Sequence, residues 1–185
     1  MMTKVSIQSI KDYLKKEGYD CLVREDEKTS PFPVLLVHLG DDYKNREYLL
    51  LLTLKEQAFV REKSEGASSE DRFHYILEFR ISLLFPVEDV GVADTARFLA
   101  FINKTIEIPG FELDEIEQTI FYRYAMLGCS DQLNGSLILA TMGFMMMILD
   151  TFIPNIEEIA SGKTTMNALM DTAIQQLSEI IGPSA

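Results

Sequence analysis

A chain of 185 residues suits one domain better than two, and with 47% hydrophobic and 25% charged residues it can build a core without disulfides or metals. Its 17 basic residues face 29 acidic ones, for a formal net charge of −12 with no basic run. Nucleic acid and anionic membrane surfaces are held by clustered Lys and Arg, so both are disfavoured, and a neutral or basic partner is favoured.

In chain order, Val5, Ile7, Ile10, Tyr13 and Leu14 follow a helical stripe, which predicts a helix over Val5 to Glu17 with Gly18 as its stop. Cys21 to Glu25 reads as a short strand. Ser30-Pro31-Phe32-Pro33 breaks the chain, Val34 to Leu39 is a buried strand, and Gly40-Asp41-Asp42 is a turn. Glu47 to Leu54 is another apolar strand. Lys55 to Asp71 is polar and holds Gly66-Ala67-Ser68-Ser69, so it is expected to be a flexible loop. From Phe73 to Phe85 apolar residues alternate, as in a strand with one buried face.

Pro86 ends that strand, and Asp89 to Asn103 is the second helix. Phe111 to Ile116 and Thr119 to Leu127 form a hairpin bent near Glu117-Gln118, and Gly128 to Gly135 is a loop. Ser136 to Phe152 is an apolar helix. Its longest apolar run, Leu137 to Leu149, is about 13 residues against the roughly 20 that span a bilayer, so a buried helix is expected. Pro154 is expected to interrupt it, with Asn155 to Ala160 restarting the helix. Gly162 is a stop, and Thr164 or Thr165 caps an additional C-terminal helix over 164–181. Strands in runs, with helices between the runs, give an α+β fold. Its antiparallel sheet has helices packed on it.

Catalytic templates find little purchase. Gly162-Lys163-Thr164 lacks the glycine five positions earlier that a phosphate loop needs, Glu157 standing there, and it follows a helix instead of a strand. His38 and His74 sit in separate predicted strands, short of the three or four ligands of a zinc site. Cys21 and Cys129 have no metal spacing and no local activating base. Glu112, Asp114, Glu115 and Glu117 read as the solvated face of a hairpin. No catalytic residue, metal or cofactor is expected. The N-terminal Met1 to Tyr13 has no apolar signal region, so a cytoplasmic protein without membrane insertion is expected.

One cluster stands out: Met142, Phe144, Met145, Met146, Met147 and Ile148. Methionine is flexible and polarizable, and adaptable binding surfaces use it heavily. Core filling or a dimer interface comes ahead of a peptide groove for this segment. A helix apolar all round needs cover on every side, so these readings are compatible.

The stretch from Phe98 to Gly162 resembles a known family. A helix ends in Leu99-Ala100-Phe101-Ile102-Asn103, and Gly110-Phe111-Glu112-Leu113-Asp114 opens a hairpin. Thr119 to Met126 closes the hairpin with Arg123 among aromatics. The apolar helix then runs to Asp150-Thr151-Phe152-Ile153-Pro154. This is similar to the YbjN family, whose fold is that of the type III secretion chaperones. The chain adds to that pattern a strand before the second helix and a helix after Gly162.

The resemblance implies a single type III secretion chaperone-like domain over 1–185, forming a homodimer. It implies a non-enzymatic factor that binds a segment of a partner protein, such as a secretion effector or another client. Two other readings stay open: a regulatory or structural homodimer with no client, and an enzyme whose site gathers distant residues.

Overall fold

The computed structural model describes residues 5–25, 31–58, 73–129 and 133–181. The fold is α+β. Helix α1 (Ile7–Lys16) is followed by β1 (Cys21–Arg24), β2 (Val34–Asp41), β3 (Glu47–Ala58) and β4 (Phe73–Ser82). A 3₁₀ turn (Asp89–Gly91) leads into α2 (Val92–Thr105), then β5 (Phe111–Asp114) and β6 (Thr119–Cys129). Helices α3 (Gly135–Ala160) and α4 (Met166–Ile181) close the chain. The six strands form one antiparallel sheet in the order β1-β2-β3-β4-β6-β5.

The chain divides into two compact units. The first is Met1–Ser82 with Tyr122–Ile148. Its helix α1 starts where the Ser6 hydroxyl accepts from the Ser9 N–H at 3.1 Å and the Ser9 hydroxyl accepts from the Ser6 N–H at 2.9 Å, a reciprocal cap. The helix stops at Gly18, which takes the left-handed φ of 92° that glycine adopts without penalty. Gly18 N–H then donates to the Lys15 carbonyl and Tyr19 N–H to the Leu14 carbonyl, satisfying the open helix end. Ile10 and Leu14 are buried as α1 packs on β1 and β2. Period-two alternation does the rest: Leu35 and Val37 of β2, Leu50 and Leu52 of β3, and Leu77 and Phe79 of β4 are all fully buried. Tyr122, Ile138 and Met142 complete this core.

The second unit is Leu83–Phe121 with Leu149–Ala185. Phe98, Leu99 and Ile102 of α2, Phe111 of β5, Ile120 of β6, and Ile153, Ile156 and Ile159 of α3 form its core. α2 packs against β5 and α4. Gly91 lies against the end of α3: a Cβ built there would stand 2.5 Å from the Ala160 carbonyl oxygen. The Glu88 N–H donates to that same carbonyl at 2.9 Å, so the approach is fixed by a hydrogen bond.

Four expectations change. Pro154 does not interrupt the apolar helix, which is continuous from Gly135 to Ala160 with Pro154 inside it. A proline forfeits one helical hydrogen bond, and burial of Ile153, Ile156 and Ile159 on either side of it outweighs that loss. β3 extends through Lys55 to Ala58, because β4 pairs with it as far as Ala58↔Phe73. The remainder of the expected loop, 59–71, lies outside the described residues. Strand β6 likewise continues through Gly128 to Cys129, where a loop is predicted. At the other turn, β2 runs on to Asp41 past an irregularity in register, and the reversal falls at Asp42 to Arg46.

Candidate functional site

The methionine cluster lies on α3, which starts where the Asn134 side-chain oxygen accepts from the Leu137 N–H at 3.1 Å. The six residues divide by helical phase. Met142, Met145 and Ile148 are buried, Met146 is half-buried, and Phe144 and Met147 are exposed at 41% and 55%. Half of the cluster therefore lies in the core. The exposed pair does not stand alone. Leu137, 45% exposed, and Ala140 precede it, and the four positions alternate steps of three and four residues. They make a continuous apolar stripe on one side of the helix. No charged residue occurs between Ser136 and Leu149.

α3 is also long and apolar enough, by length and composition, to cross a membrane. Continuity through Pro154 gives it that length, which the segmented reading of the sequence missed. Its buried positions recur at helical spacing, as in a helix that covers a protein core.

A second apolar surface emerges from strand register. Leu22, Leu36 and Leu51 stand side by side across β1, β2 and β3. Leu49, Val34 and Ile76 flank this row on the same face of the sheet, opposite the side chains that form the core. Leu22 is 63% exposed, and Leu36, Leu51, Val34 and Ile76 are half-buried. Arg24, Lys55, Arg80 and Arg123 rim the face, with Glu78 between them. Lys55 Nζ lies 3.0 Å from Glu78 Oε2, and Arg123 lies 3.9 Å from the same oxygen. His38 stands at one end of the face, its Nε2 3.6 Å from Asp41. Residue spacing alone does not bring these leucines together. The uninterrupted run Leu49 to Leu52 was the available signal, since it makes both faces of β3 apolar.

Residues of the family-like motif hold turns. The Asn103 side-chain oxygen accepts from the N–H groups of Gly110 and Phe111 at 3.1 and 3.0 Å, and its amide donates to the Phe111 carbonyl at 2.8 Å. The Asp114 carboxylate accepts from the Ile116 and Glu117 N–H groups, both at 3.0 Å, and closes the β5–β6 hairpin. Glu115 and Glu117 are exposed on that hairpin. Gly162-Lys163-Thr164 is a helix C-terminus: Gly162 has φ of 70°, and the N–H groups of Gly162 and Lys163 donate to the carbonyls of Ile159 and Glu158.

Reactive groups are few among the described residues. Burial first, and then the adjacent Asp20, push the Cys21 thiol up, against the opposing pull of Lys15 and Lys11. A raised thiol carries little thiolate at neutral pH and is a poor nucleophile. The side chain of Cys129 lies outside the described residues. Tyr122 is pushed up to about 12, by burial first and by Tyr124 second, and stays neutral in the core. Among the described residues no three His, Cys, Asp or Glu side chains gather as metal ligands.

No protein-family model and no curated protein matches this chain.

Proposed function

We propose that this is a non-catalytic protein-binding protein, a YbjN-like or type III secretion chaperone-like factor that holds a segment of a partner protein. The observation that supports it is the exposed apolar stripe Leu137, Ala140, Phe144 and Met147 on an uncharged length of α3. Apolar side chains ordered in this way gain when a matching apolar segment covers them. At about 25 cal/mol per Å² of buried apolar surface, two large side chains contribute a few kcal/mol. Methionine beside phenylalanine tolerates different client side chains, because it repacks at little strain. The reading assigns the chain no reaction, and it places the protein in the cytoplasm of its cell.

The test compares immobilised wild-type protein with the Phe144→Ser/Met147→Ser double variant against extracts of the native cell. Both positions are exposed, so the variant retains its fold by circular dichroism. A protein retained by the wild type is recovered roughly tenfold less by the variant, as expected for two central contacts. Equal recovery of the same protein by both removes the stripe from client binding. A regulatory homodimer without a client is the second reading; the leucine face of the sheet, a second apolar surface, favours it.

A further inference from the structure

We infer that two acidic turns of the second unit, Glu88 to Gly91 and Glu115 to Gln118, form a docking surface for a Lys/Arg-rich segment of another protein. The surface lies in one compact unit and shares no residue with the α3 stripe. Charge is unevenly distributed over the chain. The second unit holds 13 acidic and 3 basic residues, a net charge of −10, whereas the first holds 16 acidic and 14 basic residues, a net charge of −2. The acidity of the protein is thus a property of one unit. Neither 83–96 nor 105–121 contains a Lys or Arg, against eight carboxylates, of which Asp94 pairs with Arg97 at 2.9 Å.

Two exposed aliphatic side chains stand in that acidic surface. Ile116 is 91% exposed between the exposed Glu115 and Glu117, and Val90 is 76% exposed after the exposed Glu88 and Asp89. Hydrogen bonds tie the two turns together. The Val87 N–H donates to the Gln118 carbonyl at 3.1 Å, and the Gln118 side-chain amide donates to the Asp89 carboxylate. The Ile116 turn is ordered from within: Asp114 accepts from the Ile116 and Glu117 N–H groups, and Gln118 takes a left-handed φ of 50°, uncommon for a residue with a side chain. Ile116 therefore projects from a fixed turn. The fold does not account for an isoleucine there, since turns favour Gly, Asn, Asp and Ser and this side chain has almost no intramolecular cover. Val90 is accounted for in part. A Cβ added to Gly162 would stand 2.5 Å from its Cγ1, so Val90 leans on the end of α3, with Lys163 the next residue after that contact.

Charge selects the occupant. Carboxylates beside an aliphatic side chain match a segment in which basic and aliphatic residues alternate. Its apolar positions cover Ile116 and Val90, and its Lys or Arg side chains meet the carboxylates around them. The field of a −10 unit also steers such a segment toward the surface, over a range of about 10 Å at 0.1 M salt. Other occupants fit less well. A second copy brings −10 against −10, or a first unit close to neutral. Nucleic acid and anionic lipid are repelled by the same field. Metal ligation is the poorer alternative for these carboxylates, because among the described residues no three His, Cys, Asp or Glu side chains gather as ligands.

The experiment is fluorescence anisotropy of a short labelled peptide of alternating Lys and Leu, beside its Lys/Ser and Glu/Leu counterparts, titrated with the full chain. Wild type binds the Lys/Leu peptide at low salt, binds the Lys/Ser peptide at least about tenfold more weakly, and does not bind the Glu/Leu peptide. Raising the salt weakens binding, as expected for exposed charges. Ile116→Asn/Val90→Ser and Glu115→Gln/Glu117→Gln each raise the dissociation constant at least about tenfold. All four positions are exposed, and circular dichroism establishes that the variants fold. Ile116→Asn alone unfolds at a Tm no lower than wild type; a fall in Tm would give the isoleucine to the fold and count against docking. Equal binding of the Lys/Leu and Lys/Ser peptides reduces the surface to unspecific charge and overturns the inference. So does a dissociation constant that either double variant leaves unchanged, or an absence of binding at low salt. Binding that survives both double variants but is lost in Phe144→Ser/Met147→Ser gives the peptide to the α3 stripe, which overturns this inference and leaves the proposed function standing.

Discussion

Single residues decide the turns of this protein, and Asp42 does so with a buried charge. Its carboxylate accepts from the N–H groups of Lys44 and Arg46 at 2.7 and 2.9 Å and meets the Arg46 guanidinium at 2.6 Å. Burial alone would raise this carboxyl. The Arg46 N–H, the Arg46 side chain and the Lys44 N–H outweigh burial and hold it below its ordinary value. A lowered folded pKa contributes stability that is fully present above the unfolded value, near about 4, and is lost as pH falls through the folded one. Asp42→Ala is therefore expected to lose about 2–4 kcal/mol at neutral pH, with the gap to wild type narrowing in acid. Urea unfolding of both proteins at neutral and at acid pH measures it; a gap independent of pH would assign the loss to the turn's backbone instead. Asn103 and Asp114 work similarly as polar anchors of backbone, so side chains that look functional in the sequence are occupied by structure. Thr95 is the opposite case: its hydroxyl is buried with no hydrogen-bond partner among the described residues.

At the scale of elements, α3 carries the largest difference from expectation. A proline within a helix removes one N–H and crowds the preceding turn, which is why the sequence suggested a break. The isoleucines at 153, 156 and 159 are buried at helical spacing, and their packing keeps the helix whole. Since the helix continues, Pro154→Ala restores a hydrogen bond and is expected to stabilise the protein by about 1–3 kcal/mol. Thermal unfolding reads this directly, and a lowered Tm would mean that the proline shape itself is required. The C-terminal end of the helix is set by close approach. Gly91→Ala would place a methyl carbon 2.5 and 2.6 Å from the Ala160 and Ile159 carbonyl oxygens, backbone atoms that move only with the helix. A loss of about 3 kcal/mol is expected, measured by denaturant midpoint at unchanged slope. Helix ends were more legible: Gly18 and Gly162 stop α1 and α3 as expected, and Thr165 caps α4 by accepting from the Ala168 N–H at 3.2 Å.

For the whole molecule, two apolar surfaces are exposed among the described residues, the α3 stripe and the leucine face of the sheet, and the stripe is the one proposed for a client. The sequence by itself determined the α+β class, the order of the elements and the inward side of β4, because period-two and helical spacing are local properties. It also drew attention to the methionine segment. Only the tertiary structure decided which of those methionines are core. A helix apolar on all sides has no phase in its sequence, and neighbouring elements choose the buried side. The same holds for the leucine face. Leu22, Leu36 and Leu51 are separated by long stretches of chain, and strand register alone makes them neighbours.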